Sequence, residues 1–168
     1  MRTECINHRY VYDEPMNIGR LVLKVADKSQ IGTQRIGSRP YGVGLLVAGC
    51  DASGPHLFET KPSGQYFEYY GMAIGARSQA GRTYLEKHFD KFENLSLDEL
   101  VTHALLALRE TIGSSGSGEL SSSNVTVGFV SEDIPFTVLE DDAVAAYVAA
   151  VKKPEEGGAA AAPAMETD

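Results

Sequence analysis

Tryptophan is absent from this 168-residue sequence, cysteine occurs twice, and no apolar run approaches the roughly 18 residues that a membrane span requires. Cys5 and Cys50 lie far apart with no C-x-x-C spacing, which argues against a disulfide framework or a thiolate metal site and leaves two buried free thiols as the expectation. Positive charge is also scarce, with 15 Lys and Arg against 23 Asp and Glu for a net charge of −8. Nucleic-acid binding relies on clustered cations that displace phosphate counterions, so this balance speaks for a protein partner. Met1 to Arg20 carries Arg2, Glu4, Arg9, Asp13 and Glu14 with no continuous apolar core, and so does not read as a signal peptide. The expected location is the cytoplasm and nucleus.

What is present is the pattern of a soluble α+β domain, expected over residues 1–151. Met1 to Tyr12 is helix-compatible but begins without a cap or a preceding strand, like the tail of an element whose start is missing. From Pro15, a favourable first helical residue, Ile18, Leu21, Val22, Val25 and Ser29 share one face and predict a helix to about Gln34. Pro40 forces Arg39 into extended geometry. The apolar run Val43 to Cys50 predicts a central strand covered on both faces. Turn signals at residues 51–54 and 61–64 then separate strands near His56–Thr60 and Gln65–Ile74, giving an antiparallel meander.

Two helices follow. In the first, Ser78 to Phe92, Tyr84, Leu85, His88, Phe89 and Phe92 lie on one side. The second opens with the capping box Ser96-Leu97-Asp98-Glu99, buries a stripe of Leu97, Leu100, Val101, Ala104, Leu105 and Leu108, and ends at Gly113. Residues 113–123 read as a flexible connection, Val125–Val130 and Phe136–Leu139 as a hairpin, and the segment after Asp141-Asp142 as a short helix burying Val144, Tyr147, Val148 and Val151. Residues 152–168, acidic and alanine-rich, have no periodic apolar face and are expected to be disordered. Helices covering antiparallel strands predict an α+β layered sandwich, with too few strands to complete two sheets.

Motifs for chemistry are weak. Gly42-Val43-Gly44 starts like a dinucleotide loop, but Val47 replaces the third glycine and the segment runs into a strand, so no cofactor is expected. His8, His56, His88 and His103 show no ligand spacing, so no metal is expected, and His88 and His103 read as helix residues with one edge packed and one edge wet. No serine-hydrolase elbow is formed, and Asp141-Asp142 reads as a helix N-cap. An N-terminal threonine freed at a Gly-Thr bond can act as a nucleophile, and Gly32-Thr33 is the one such pair. It lies late in a predicted helix, where cleavage would remove two helices from the fold.

Two segments carry a family signal: RPYGVGLLVAGCDASGP at 39–55 and MAIGARSQAGRTYLEKH at 72–88. They resemble proteasome alpha subunits, in particular the alpha type-1 class that takes the sixth position of the yeast alpha ring, and the likeness extends over the whole chain. The resemblance implies a four-layer α-β-β-α sandwich of the N-terminal nucleophile hydrolase type with antiparallel sheets, here missing the N-terminal strands and helix. It implies a non-catalytic subunit, with no catalytic, metal or cofactor residues. Its partners would be the other alpha subunits of a heptameric ring, the beta subunits and regulatory particles, in ubiquitin-dependent protein degradation. Arg39, Pro40, Tyr41 and Gly42 would line the narrow opening of the ring, Gly42 permitting a tight approach; a tyrosine buried at a strand start is the plainer alternative for Tyr41. A threonine-type peptidase of the same fold and a free interaction module are the rival functions.

Overall fold

A computed structural model describes residues 1–112 and 120–152. Most of the connection at 113–123 and nearly all of the expected tail at 152–168 lie outside the described residues. In chain order the elements are α1 (Arg2–Tyr12), α2 (Ile18–Gln34), β1 (Leu45–Asp51), β2 (Gly54–Thr60), β3 (Tyr66–Glu68), α3 (Ser78–Phe92), α4 (Leu97–Ile112), β4 (Val127–Phe129), β5 (Thr137–Leu139) and α5 (Asp142–Lys152). The antiparallel meander and the second hairpin are both present, as sheets ordered β1-β2-β3 and β4-β5.

Helix α2 begins at Ile18 and not at Pro15. The Ile18 amide donates to Asp51 Oδ2 at 3.1 Å, so a carboxylate from the end of β1 caps the helix and sets its start. Ile18 also packs on Gly49, where an added Cβ would fall 2.4 Å from Ile18 Cδ1. Leu21, Val22, Ala26 and Ser29 are buried beneath the helix. Helix α1 fastens to α2 through Glu4, which pairs with Lys28 at 2.7 Å and Lys24 at 3.2 Å, and through buried His8, whose Nε2 is 3.5 Å from Arg20 Nη1 while its Nδ1 is 3.2 Å from the Glu14 carbonyl in the intervening link.

Strand β1 corrects the sequence expectation. It is the edge of its sheet, β2 is the centre, and Leu45 and Leu46 are exposed. Register places Val47, Gly49, Asp51, His56, Phe58 and Glu68 on the face that meets α2, and Leu46, Ala48 and Leu57 on the other. The run is apolar on both faces, but among the described residues one of them packs on α2 while the other, with Leu46 and Leu57, faces an open cleft.

The second core lies between α4, α5 and β4: Val101, Leu105, Leu120, Val125, Val144, Val148 and Val151 are buried together. The expected α4 stripe divides, with Val101 and Leu105 entering this core while Leu100 and Leu108 stay exposed. Helices α3 and α4 approach closely at Gly81, where a Cβ would lie 3.2 Å from the Ala107 carbonyl. The capping box forms with a changed polarity: Glu99 Oε2 accepts both the Ser96 amide and the Ser96 hydroxyl at 2.8 Å. Cys5 and Cys50 are unbridged and half-buried.

Between the two cores runs an open apolar cleft of about 530 Å³. It is lined by Leu46 and Leu57 of the sheet, Leu85 and Phe92 of α3, Leu100, Ala104 and Leu108 of α4, and Val127 of β4. Arg82 of α3 stands 3.8 Å from buried Glu59 of β2 and donates its Nε–H to the Ala73 carbonyl at 2.8 Å.

Candidate functional site

Proline fixes one dihedral of residues 35–44 and Gly37 adopts φ +88°, so the chain leaves α2 in an irregular arc before joining β1. Arg39, Pro40, Tyr41 and Gly42 all lie on this arc and all are exposed. Tyr41 is 60% accessible and precedes β1 by several residues, which overturns the alternative of a tyrosine buried at a strand start. Gly42 has open space around it. A close backbone contact is made at Gly32, where a Cβ would stand 3.2 Å from the Arg39 carbonyl and 3.6 Å from Pro40 Cα. Gly32 therefore lets the arc settle against α2 and fixes where Tyr41 projects.

The exposed apolar side chains continue from this arc. Val43, Leu45 and Leu46 follow directly, and Ile6, Tyr10 and Val11 stand outward on α1. A bare edge strand beside apolar surface is a template for pairing and packing with another chain. Chemistry at Thr33 has no such support: the residue is inside α2 and its hydroxyl donates to the Gln30 carbonyl at 2.6 Å.

A polar group that motif reasoning missed sits at the other end of the same sheet face. Ser53 Oγ lies 2.9 Å from His56 Nε2, and His56 Nδ1 lies 2.5 Å from Glu68 Oε1. The order hydroxyl, imidazole, carboxylate is that of a hydrolytic triad. Asp51 reverses its logic. The Ser53 hydroxyl donates to Asp51 Oδ1 at 2.5 Å, so its proton is directed away from the imidazole, and a carboxylate beside the hydroxyl would repel a developing oxyanion. Glu68 chiefly, with Asp51, holds the His56 pKa above the ordinary value against the opposing effect of burial, which favours an imidazolium without a free lone pair for base catalysis. Asp51 itself is lowered to about 2 by the Ser53 hydroxyl, the Ser53 amide, the Ile18 amide and the His56 charge. The signal that would have found the group is register, since pairing Phe58 with Glu68 puts His56 diagonal to Glu68 on one face.

The other histidines pack at helix contacts. His103 Nδ1 is 2.9 Å from Tyr84 Oη, and His88 Nδ1 is 2.7 Å from the Tyr84 carbonyl, both rings half-buried between α3 and α4. Among the described residues no three His, Cys, Asp or Glu side chains are placed to hold a metal ion, and no helix is long and apolar enough to cross a membrane.

Comparison with known proteins gives a consistent likeness. The family model described as proteasome subunit matches residues 1–130. The proteasome subunit alpha type-1 of Dictyostelium discoideum is 54% identical over 141 residues, covering 84% of this chain and 56% of that protein. The alpha type-1 subunits of Trypanosoma brucei rhodesiense and Caenorhabditis elegans are 45% and 42% identical, over 93% and 98% of this chain. The chain spans 58% and 63% of those two relatives' lengths.

Proposed function

Because this chain belongs to the proteasome subunit family, with alpha type-1 subunits as its relatives, we propose that it is a structural, non-catalytic component of the core particle's alpha ring, acting in ubiquitin-dependent protein degradation in the cytoplasm and nucleus. The observation that carries this reading is identity of 54% to an alpha type-1 subunit across 84% of the chain. Two structural features support it. Thr33, the one residue of Gly-Thr context, is locked within a helix, and the apolar surface on α1, the 35–46 segment and the β1 edge is left for neighbours to cover. The partners so implied are the other alpha subunits of a heptameric ring, the beta ring and regulatory particles. A four-layer α-β-β-α sandwich of the N-terminal nucleophile type requires further strands beside β1, and the bare edge and open cleft are where they would add.

In that ring, Arg39, Pro40, Tyr41 and Gly42 face the narrow opening through which unfolded chains pass. Tyr41 offers an amphipathic ring on an arc stiffened by Pro40, suited to transient contact with a moving polypeptide. Co-expression of a tagged chain with the remaining alpha and beta subunits, followed by native gels and peptide mass spectrometry, tests the assignment. Recovery in ring-sized assemblies containing alpha and beta subunits is expected; a chain found solely as a free species overturns it. Tyr41→Ala then tests the loop, with slower degradation of an unfolded substrate and unchanged assembly as the expected outcome.

A further inference from the structure

We propose that Asp51, Ser53, His56 and Glu68 form a protonation-controlled clasp that fastens β3 and the first turn of α2 to the β1–β2 turn, tight when His56 carries both ring protons and slack when it carries one. The argument rests on a count of donors and acceptors. Glu68 Oε1 stands 2.5 Å from Nδ1, while Ser53 Oγ and Asp51 Oδ1 stand 2.9 and 3.2 Å from Nε2. The single Ser53 hydroxyl proton is directed to Asp51 Oδ1, so the oxygen turns a lone pair toward the ring. Every group around the imidazole therefore accepts, and both ring nitrogens must donate. A neutral imidazole has one N–H and leaves one nitrogen lone pair facing a carboxylate or a hydroxyl oxygen.

The clasp joins three elements. Asp51 ends β1 and its second oxygen receives the Ile18 amide that opens α2; the Ser53 amide also donates to Asp51 Oδ1 at 2.8 Å. Glu68 is the last residue of β3, a strand of three residues whose end is otherwise held by its pairing with Phe58 and by the Tyr69 amide, which donates to the Leu57 carbonyl at 2.9 Å. The charged groups facing His56 are Asp51 from β1 and Glu68 from β3, and the stacked neighbour on its own strand, Phe58 at 6.0 Å, is uncharged. From α2 the first turn contributes no acidic residue, and its Arg20 is occupied by His8 and the Tyr12 ring. When His56 loses a proton and keeps Nδ1–H on Glu68, Nε2 becomes an acceptor and draws the Ser53 hydroxyl away from Asp51. The α2 cap then loses one of the bonds that orient it.

The direction of the effect follows from linkage. A group whose folded pKa is raised contributes stability that is complete below its unfolded value, about 6.5 for histidine, and is lost as pH rises through the folded value. The clasp is thus tight on the acid side and slackens on the alkaline side of that window. Ring titration of His56 by NMR, combined with hydrogen-exchange protection factors of the full chain, provides the test. The expected result is a titration midpoint above about 6.5, with protection near Ile18 and at residues 66–68 falling across it by about tenfold for each unit of elevation. Glu68→Gln, at a half-exposed side chain, moves the midpoint and the protection step down together, and His56→Asn removes the step. Protection that stays flat across the wild-type midpoint, or a step that keeps its position in Glu68→Gln, overturns the proposal, and the Gln variant decides the matter even where His56→Asn does not fold.

Discussion

Asp51 and Gly64 show how single positions set the geometry on which the rest depends. Asp51 is held well below the ordinary carboxylate range, at about 2, by the Ser53 hydroxyl and amide and by the Ile18 amide. A depressed folded pKa contributes stability that is present above the unfolded value, about 3.9, and is lost as pH falls toward 2. Asp51→Asn should therefore remove an acid-sensitive contribution of at most about 2 kcal/mol, read as a flattened dependence of urea midpoint on pH between 4 and 2. Gly64 illustrates the steric counterpart: its φ is +87° and a Cβ would lie 2.8 Å from Gln30 Cβ and 2.9 Å from the Ala26 carbonyl. Gly37 has nearly the same φ, +88°, with open space around it. Gly37→Ala should cost about 1 kcal/mol for the left-handed backbone alone, and Gly64→Ala about 2 kcal/mol or more because α2 must also give way. Equal losses in chemical denaturation would contradict this assignment of Gly64 to the α2 contact. Residues of this kind were partly legible: the Lys61-Pro62-Ser63-Gly64 turn could be read directly, whereas the closeness of Gln30 depends on helix placement that no local pattern encodes.

Elements were legible where one periodicity governed them. The 3.6-residue stripe of α2 and the Ser96–Glu99 box of α4 located both helices to within a few residues. The unbroken run of β1 misled, because it implies two covered faces, and among the described residues one side of it faces an open cleft. Residues 39–42, proposed to line the ring opening, were picked out by resemblance, while the Asp51–His56 group escaped because its members come from three strands and a turn, brought together by hairpin register. Helices α4 and α5 pack through Val144, which is fully buried among Val101, Leu105 and Val148. Val144→Ala deletes two methyl groups from a site closed on all sides and should cost about 2 kcal/mol. The loss should be local in hydrogen exchange, raising opening rates in α4 and α5 while leaving β1 and β2 unchanged, because the two cores face each other across the cleft. Uniform loosening of both halves would show instead that they unfold as one unit.

At the scale of the whole molecule, the two cores are held apart by the feature that most sets this chain's behaviour. The cleft between them places Leu46, Leu57, Leu85, Phe92, Leu100 and Leu108 around about 530 Å³ of open space. Apolar surface of that kind is favourable to cover, at about 25 cal/mol per Å² removed from water, and the edge of β1 beside it, unpaired among the described residues, offers backbone groups to an incoming strand. A chain of this shape should expose its cleft when free and lose that exposure when neighbours cover it. The purified chain is therefore expected to bind an environment-sensitive apolar dye such as ANS at neutral pH while retaining native helical circular dichroism. It should also self-associate with rising concentration. Leu46→Lys, which puts a charge on the cleft side of the edge strand, should reduce both dye binding and light scattering several-fold with little change in helicity, since Leu46 is already exposed. The same variant should be incorporated less efficiently into ring-sized assemblies on native gels. Unaltered dye binding in Leu46→Lys would mean that the cleft is closed in solution, and that the surface recruiting neighbours is the outward face of α1, where Ile6 and Tyr10 stand clear of the fold.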